Sequence, residues 1–572
     1  VKFFVTCIMT AMLMSVALSD VVCASGRGDE TVVIGQADIA SMQASNTPDL
    51  LNRIPGVKAT ETSVSIRGSY QVKVLVDGRS INDPTSYSGA VKWSMIPIER
   101  IEKIVVHKGR GGVAFGDNTE GGVIEITTRQ SSRFGGTVDL HAGNHGEKNG
   151  EITLQGGIER FSATLSAGAR EYDGFTVNDD LKERRAGLRL DFKGNSGTEL
   201  FLSGDYSKQK KGLRGYPETR TPNSRMNYED SSMLFGARFN GLDSRSWYRE
   251  TATRNSDSDR DFFSQLRVKS VGQTLKRKVS LPLLGELQAG AGFEWQQASG
   301  TAIDEQEEEQ GWLLFSKRFS QSNGPWSAVA GIRGNLYSTF SNTVNPELGI
   351  TWSRKPWKIE LNAGSNSNLP SFRQRYNETS TTRSNPDLQM ERAMKTGLAL
   401  SFTPSEKLNW ELSLFRRDIT DRITYVRAAD NTGRYENFGE VIYQGLESSL
   451  TWKPAAWLEL TPSYLYLHAR NEETGLWLPA IPFHTLSGQI ALKPFSRLSI
   501  RADLKYTGQV YSRTDNVETL PGYGLVDLRV DYRAGAMQLY VDVDNLLERE
   551  YLYVDGYDAP PREWKVGMNY TF

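Results

Sequence analysis

Trp564-Lys565-Val566-Gly567-Met568-Asn569-Tyr570-Thr571-Phe572 ends the chain, and its reading decides the fold. Trp564, Val566, Met568, Tyr570 and Phe572 alternate with Lys565, Gly567, Asn569 and Thr571. A period of two gives a strand one apolar and one polar face. The same alternation recurs in Leu498/Ile500/Ala502/Leu504/Tyr506 against Ser499/Arg501/Asp503/Lys505, and in Met537/Leu539/Val541/Val543 against Gln538/Asp542/Asp544. Such runs last about nine or ten residues, the length that crosses a bilayer at barrel tilt. Aromatic residues collect at segment ends, at Trp457, Trp477, Tyr506, Tyr551, Tyr553 and Trp564, where an interfacial girdle would place them.

Composition agrees with a membrane barrel and removes other classes. The chain has 572 residues with 67 Lys+Arg against 68 Asp+Glu, a net charge of −1. That balance argues against a nucleic-acid binder working through bulk positive charge, and against an acidic disordered chain. A mean hydropathy of −0.47, with no run of about 20 apolar residues past the extreme N-terminus, removes a helical membrane protein. A barrel with an apolar outer face and a polar lumen averages out hydrophilic, and 53 Gly, 12 Trp, 23 Tyr and 23 Phe suit it. From about Gly135 to Phe572, roughly 20 residues per strand and its share of turn give about 22 strands, wide enough to be plugged by a separate domain. A soluble propeller would need a recurring blade signature of about 40 residues, and none is seen.

The N-terminal part has a different character. Lys2, the apolar run Phe3 to Leu18 and Val22-Cys23-Ala24 have the three parts of a secretory signal, residues 1–24, cleaved after Ala24. The alternatives are acylation at Cys23, poorly approached by Asp20-Val21-Val22, or a retained anchor, for which the run is short and broken by Thr6, Thr10 and Ser15. Cleavage would leave an exported chain without cysteine, stabilised by something other than disulfides. Up to Gln130 the sequence reads as a small mixed α/β unit. Thr47-Pro48-Asp49-Leu50-Leu51 is a helix start with Thr47 as cap, Gly56 ends it, and short β-rich runs follow at Val64–Arg67, Val72–Val76 and Ile101–Val106, with a turn at Asp77-Gly78.

Ordered motifs add a resemblance. Pro48-Asp49-Leu50-Leu51-Asn52-Arg53-Ile54-Pro55-Gly56-Val57, Ile66-Arg67-Gly68, Val74-Leu75-Val76-Asp77-Gly78, Ile96-Pro97-Ile98-Glu99-Arg100-Ile101-Glu102, Lys108-Gly109 and Gly121-Gly122-Val123-Ile124-Glu125-Ile126 succeed one another. In the second part come Asn385-Pro386-Asp387-Leu388 to Glu391, Tyr435-Glu436-Asn437, Gly445-Leu446-Glu447, Asp544-Asn545-Leu546-Leu547 to Tyr551, and the terminal Phe572. In this order they resemble the TonB-dependent outer-membrane receptors of Gram-negative bacteria over nearly the whole mature chain. The resemblance implies a plug at 37–132 inside a transmembrane barrel at 133–572, and uptake of a ferric siderophore first, or of cobalamin, driven by the inner-membrane TonB protein. It also implies a TonB-contacting segment at 25–36, with Glu30, Thr31, Val32, Val33 and Ile34 as its core. A β-branched extended stretch in a terminus can pair with a partner's sheet edge, though the same residues also read as the plug's first strand. Phe572 is the signature by which the barrel assembly machinery would take the chain, and outer-membrane lipid and lipopolysaccharide are its surroundings.

On the same resemblance, Asn82, Thr85, Ser86 and Tyr87 at the plug apex are candidate substrate contacts, beside a turn at Thr60 to Ser63. Arg67 and Arg100 of the plug and Glu391 and Glu447 of the barrel are candidates for buried pairs that lock the two together, since charges in a desolvated seam need partners. Lys208 to Arg225 interleaves Lys208, Lys210, Lys211, Arg214, Arg220 and Arg225 with Tyr206, Tyr216 and Tyr228. Such a stretch, with Arg214 and Tyr216 foremost, suits an anionic ferric chelate or the phosphates of lipopolysaccharide equally. Asp304, Glu305 and Glu307 to Glu309 would form a solvated extracellular loop or a Ca²⁺ site. No other cofactor is implied. Gly109-Arg110-Gly111-Gly112 to Gly116 lacks the Lys-Ser/Thr of a phosphate loop and reads as tight turns. His141 and His145 lie four apart on a strand, two pleats rather than one helical face, which does not make a metal pair. None of the five histidines falls between Phe372 and Asn385, where haem-importing relatives carry a ligand, which leaves Tyr376 as a haem candidate. A passive porin is contradicted by the plug, and a surface enzyme by the lack of a nucleophile–base or paired-carboxylate arrangement.

Overall fold

In the computed structural model residues 30–572 are described, apart from 88, 131–132, 282–284, 322–323, 429, 431 and 553–555. The signal sequence, residues 25–29 and Tyr553 lie outside the described residues. The N-terminal unit is built on a mixed sheet. Its elements are β1 (Thr31–Gly35), helices α1 (Gln36–Met42) and α2 (Thr47–Asn52), the hairpin β2 (Val57–Ala59) and β3 (Val64–Ile66), β4 (Val72–Val76), β5 (Arg79–Ser80), β6 (Ile101–His107), the one-turn helix α3 (Gly112–Phe115) and β7 (Gly122–Thr128). The sheet order is β1-β6-β7-β4-β5, with β4 and β7 parallel and β1 antiparallel to β6. Ile34, Leu50, Ile66, Ile104 and Ile124 are almost completely buried in one core, so a unit of about a hundred residues has its own apolar interior.

Two local readings change. The helix α2 is capped by Asn46, whose side chain accepts from the Asp49 amide at 2.9 Å, while Thr47 is its first residue and donates to the Ile96 carbonyl. The helix ends at Asn52, and Gly56 serves instead in the next turn, at φ +71°. The glycine-rich stretch around Gly111 faces an anion from the barrel wall, its amide donating to Glu347 Oε2 at 2.9 Å. The Asp77-Gly78 turn takes left-handed φ values of +49° and +92°, which suits a two-residue hairpin loop.

From Gly135 to Thr571 the chain forms one closed antiparallel barrel of 22 strands. The strand Glu563–Thr571 returns to pair with Gly135–Gly143, with Met568 opposite Leu140 and Thr571 opposite Thr137. Closure leaves no edge, the condition for strands to cross a membrane. Leu165, Leu188, Leu202, Phe235, Leu313 and Leu414 are among the large apolar side chains left exposed, and they mark the outer wall. Trp457, Tyr506 and Trp564 are about half exposed, as girdle residues are. Trp477 and Tyr551 do not join them: Trp477 packs on His468 and Phe483 in an extracellular loop, and Tyr551 packs on Tyr523. Short turns alternate with longer loops, and the longer set defines the extracellular side.

Candidate functional site

The plug is held inside the barrel by buried ions. Arg67 Nε donates to Glu447 at 2.9 Å and its Nη1 to Glu30 at 2.9 Å. Lys108 Nζ reaches the other Glu447 oxygen at 2.5 Å and the Pro55 carbonyl at 2.7 Å. Glu30 also accepts from barrel Asn362 at 2.8 Å. All four charged residues are under a tenth exposed. Burial alone would lower the Arg67 pKa, but Glu447 and Glu30 raise it above its usual value, so it stays charged. The expected Arg67–Glu447 pair is therefore formed, with Glu30 and Lys108 as further partners that sequence reasoning did not assign to it.

Arg100 and Glu391 are not part of that cluster. Arg100 pairs with Asp205 on the barrel wall at 2.6 Å, a second plug–barrel contact. Glu391 pairs with Arg422 at 3.3 Å and accepts from Asn368 at 2.9 Å, which braces the barrel against its own loops. Other plug–wall pairs are Asp77–Arg189 at 2.9 Å and Glu120–Arg417 at 3.0 Å.

The segment expected as the TonB contact is folded into the plug. Thr31–Gly35 is β1, with Val33 opposite Val105, and Ile34 is 1% exposed. Of the two sequence readings, first strand of the plug is the one the described residues take, because β-branched residues at an edge satisfy their amides on β6. The plug sheet thus begins ahead of residue 37.

At the extracellular end a cavity separates the plug apex from the barrel wall and the segment 369–374. Of the apex candidates, Asn82 fastens the turn: its amide donates to the Val72 and Gly89 carbonyls and its oxygen accepts from Val74. Thr85 is 2% exposed and bonds back to Asp83. Asn82, Ser86 and Tyr87 all line the cavity, and Thr85 does not. Tyr87 stacks on Tyr435, ring centroids 5.2 Å apart, and Tyr435 meets Tyr425 edge-on at 5.1 Å. This clamp joins the apex to the loop hairpin Ile423–Arg427/Gly433–Asn437. Tyr337, Phe340 and Phe372 also line the cavity. Nothing local in the sequence marked them, because they reach the cavity from separate strands and loops.

Charge in the cavity is acidic. Asp83, Asp117, Glu294, Glu308 and Glu309 line it, with Lys73 as the cation among the lining residues. Burial pushes the Asp117 carboxyl up and the Lys73 ammonium down. Lys73 donates to the Phe115 carbonyl at 3.0 Å, so it is already engaged.

Arg214 and Tyr216 lie elsewhere. Arg214 donates to the Asp558 carbonyl and sits over Phe175, and Tyr216 packs on Tyr557 at 4.6 Å. They strap three extracellular loops together rather than meeting the apex. The acidic run is not a loop either. It opens the strand Ile303–Ser320, which leaves Glu305 and Glu307 exposed and turns Glu308 inward to Arg375 at 2.6 Å, while Glu309 is among the residues that line the cavity. Among the described residues no three His, Cys, Asp or Glu side chains are grouped to hold a metal ion. Tyr376, the haem candidate, packs against Phe372 and Arg375.

A plug locked inside a closed 22-strand barrel, under an open extracellular cavity, defines a gated outer-membrane receptor. A family model for the TonB dependent receptor-like beta-barrel matches residues 122–546, and one for the TonB-dependent receptor plug domain matches residues 28–123. The chain belongs to the TonB-dependent receptors, a family of Gram-negative outer-membrane receptors and transporters. It is 25% identical to the vitamin B12 transporter BtuB of Vibrio vulnificus (strain CMCP6), over 99% of this chain and 95% of that protein. Similar solved structures include the siderophore receptor PirA from Acinetobacter baumannii, with a TM-score of 0.80, 17% identity and coverage of 95% of this chain and 98% of that one. Another is the ferric enterobactin receptor PfeA from Pseudomonas aeruginosa, with a TM-score of 0.79, 18% identity and coverage of 96% and 100%. At these identities the structures speak for the fold alone.

Proposed function

We propose that this receptor imports a bulky, uncharged metal chelate of the corrinoid class into the periplasm, driven by an inner-membrane TonB protein acting on the chain ahead of β1. The observation that carries the substrate reading is the carboxylate lining of the cavity. Glu308 is paired with Arg375, but a polyanionic ferric chelate would still meet Asp83 and Glu294 as like charge there, at a cost of several kcal/mol for close juxtaposition. A corrinoid presents a rim of carboxamide N–H donors, which carboxylates accept. The full-length similarity to a vitamin B12 transporter supports the same choice. This reverses the order expected from sequence, in which a ferric siderophore stood first. A siderophore with aromatic chelating groups is the second reading, favoured by the exposed face of Tyr87 beside Tyr435 and Tyr425.

The test is uptake by cells that carry this receptor in place of their own, given radiolabelled cyanocobalamin or ferric siderophores of the catecholate and hydroxamate classes. Cobalamin accumulation that a protonophore abolishes is the expected result. Accumulation of a ferric siderophore alone would overturn the corrinoid reading, and uptake indifferent to the protonophore would overturn energy coupling. Deleting residues 29–35 is a poor test of coupling, because it removes a plug strand and Glu30 of the lock together.

A further inference from the structure

We propose that the extracellular cavity seats one propionamide arm of the substrate, and that Asp117 of the plug is the specificity-determining acceptor for the N–H of that arm. The assignment deepens the corrinoid reading above and rests on it. The cavity holds about 120 Å³, where sites that enclose a drug-sized molecule hold roughly 300–1,000 Å³. It therefore admits one arm of a bulky ligand and leaves the body of the ligand outside. Of the two kinds of arm on a corrin rim, acetamide and propionamide, the longer reaches further in.

The carboxylates that line this space are not equivalent. Asp83 accepts from the Thr85 amide and hydroxyl at 2.9 and 2.7 Å. Glu294 accepts from the side-chain amides of Gln296 and Gln310 at 2.8 and 3.1 Å, and Glu308 is paired with Arg375. Asp117 is 5% exposed, and its Oδ2 accepts from the Tyr337 hydroxyl at 2.8 Å. Among the described residues it is the lining carboxylate that keeps a buried oxygen, Oδ1, without a hydrogen-bond partner. An unmet buried acceptor that carries charge is costly, and a donor brought in by the ligand removes that cost.

The donor that fits is neutral. Lys73 Nζ donates to the Phe115 and Asp117 carbonyls at 3.0 and 3.4 Å. The Arg333 guanidinium lies against Gly116 and gives its Nε hydrogen to Asn335 at 2.7 Å. Both cations stand beside Asp117 with hydrogens committed to other acceptors, so they repel an incoming ammonium without satisfying Oδ1. A carboxamide N–H brings a donor and no charge. A carboxylate in its place brings no donor and sets two buried like charges face to face. The acceptor is also held still: Asn118 donates its amide to the Ser367 carbonyl at 3.0 Å and accepts from the Leu369 amide at 2.7 Å, which ties this turn of the plug to the barrel wall. A buried polar group fixed to meet a donor rejects the analogue that lacks it.

The experiment titrates the purified full-length receptor, in neutral detergent, with cyanocobalamin and with its b-, d- and e-monocarboxylic acids, in each of which one propionamide arm ends in a carboxylate. Affinities are read by isothermal titration calorimetry. The expected result is that wild type binds one of these isomers at least tenfold more weakly than cyanocobalamin, and that Asp117→Asn brings that isomer to within about threefold. Glu305→Gln, which removes an exposed charge from the strand Ile303–Ser320, should leave the pattern as in wild type. The comparison of isomers on wild type keeps the claim testable should the Asp117 variant fail to fold. Cyanocobalamin bound with no isomer discriminated, or discrimination that persists in folded Asp117→Asn, would overturn the assignment while leaving the corrinoid reading in place. Discrimination spread evenly over the isomers, or relieved equally by Glu305→Gln, would mark a general field and overturn the contact. Absence of cyanocobalamin binding by wild type would overturn the corrinoid reading and this assignment with it.

Discussion

Arg67 makes one of the buried couplings between plug and wall. It sits at φ +48°, a left-handed conformation that a non-glycine residue holds only where its surroundings enforce it. Glu447, Glu30 and the Phe415 ring, 4.4 Å from the guanidinium, supply that enforcement. Glu447→Ala would leave Arg67 and Lys108 buried short of a partner, at a cost of about 3–5 kcal/mol. Planar-bilayer recordings should then show more frequent openings than wild type, with Glu447→Gln intermediate because one acceptor oxygen remains. Unchanged conductance in Glu447→Ala would count against the lock. A second residue makes the plug sensitive to pH. Burial raises the Glu99 carboxyl from about 4.5 to about 7, with Asp139 and Glu151 adding to the shift and Arg185 opposing it. Between those two values the folded plug holds a proton that the unfolded chain has given up. The contribution of Glu99 is therefore complete below about pH 4.5 and is lost as pH rises through about 7. Glu99→Gln should leave the plug transition unaltered at pH 4 and raise its Tm at pH 8, read by calorimetry in detergent.

Strands and loops differ in how they are written in the sequence. The last barrel strand was legible because lipid on one side and lumen on the other impose a strict period of two. The β1 strand was legible as an extended stretch, but not as a sheet member, because its partner β6 lies some seventy residues on. The lock shows the same limit: a family motif pointed to Arg67 and Glu447, whereas Arg100 and Glu391 found partners that no local pattern announces. The apex clamp of Tyr87 on Tyr435 joins residues from different domains, so nothing near either one marks it. Because β1 is an edge strand whose preceding residue, Glu30, is tied into the lock, force applied upstream reaches the lock through it. Joining β1 to β6 by Val33→Cys/Val105→Cys, directly opposite in register, should block that path. Energised uptake should fall to the uncoupled level and return on reduction, while either single cysteine transports normally. Full uptake with the disulfide intact would show that β1 stays in the sheet during transport.

Closure of the barrel governs the molecule as a whole. The 22-strand ladder is completed by pairing the strand Glu563–Thr571 with Gly135–Gly143, and Phe572 adds a reciprocal pair of backbone bonds to Gly136 at 2.9 and 3.0 Å. In hydrocarbon each unpaired backbone group costs several kcal/mol. Deleting residues 563–572 opens two ladder edges at membrane depth, along Met537–Asp544 and Gly135–Gly143, and that loss exceeds the stability of an ordinary domain, about 5–15 kcal/mol. The truncated chain should show no compact band on a semi-native gel before heating. Removing Phe572 alone is a different perturbation. It gives up the two Gly136 bonds and the stacking on Tyr570, centroids 5.9 Å apart, but keeps the register from Lys565 to Thr571. The protein that reaches the membrane should therefore still run as a compact, heat-modifiable barrel. Any fall in its amount then reports a step ahead of the folded barrel rather than stability, and the two are separated by refolding the purified variant into detergent, where its yield should match wild type. A refolded variant that lacks the compact band would instead place Phe572 among the residues that hold the barrel closed.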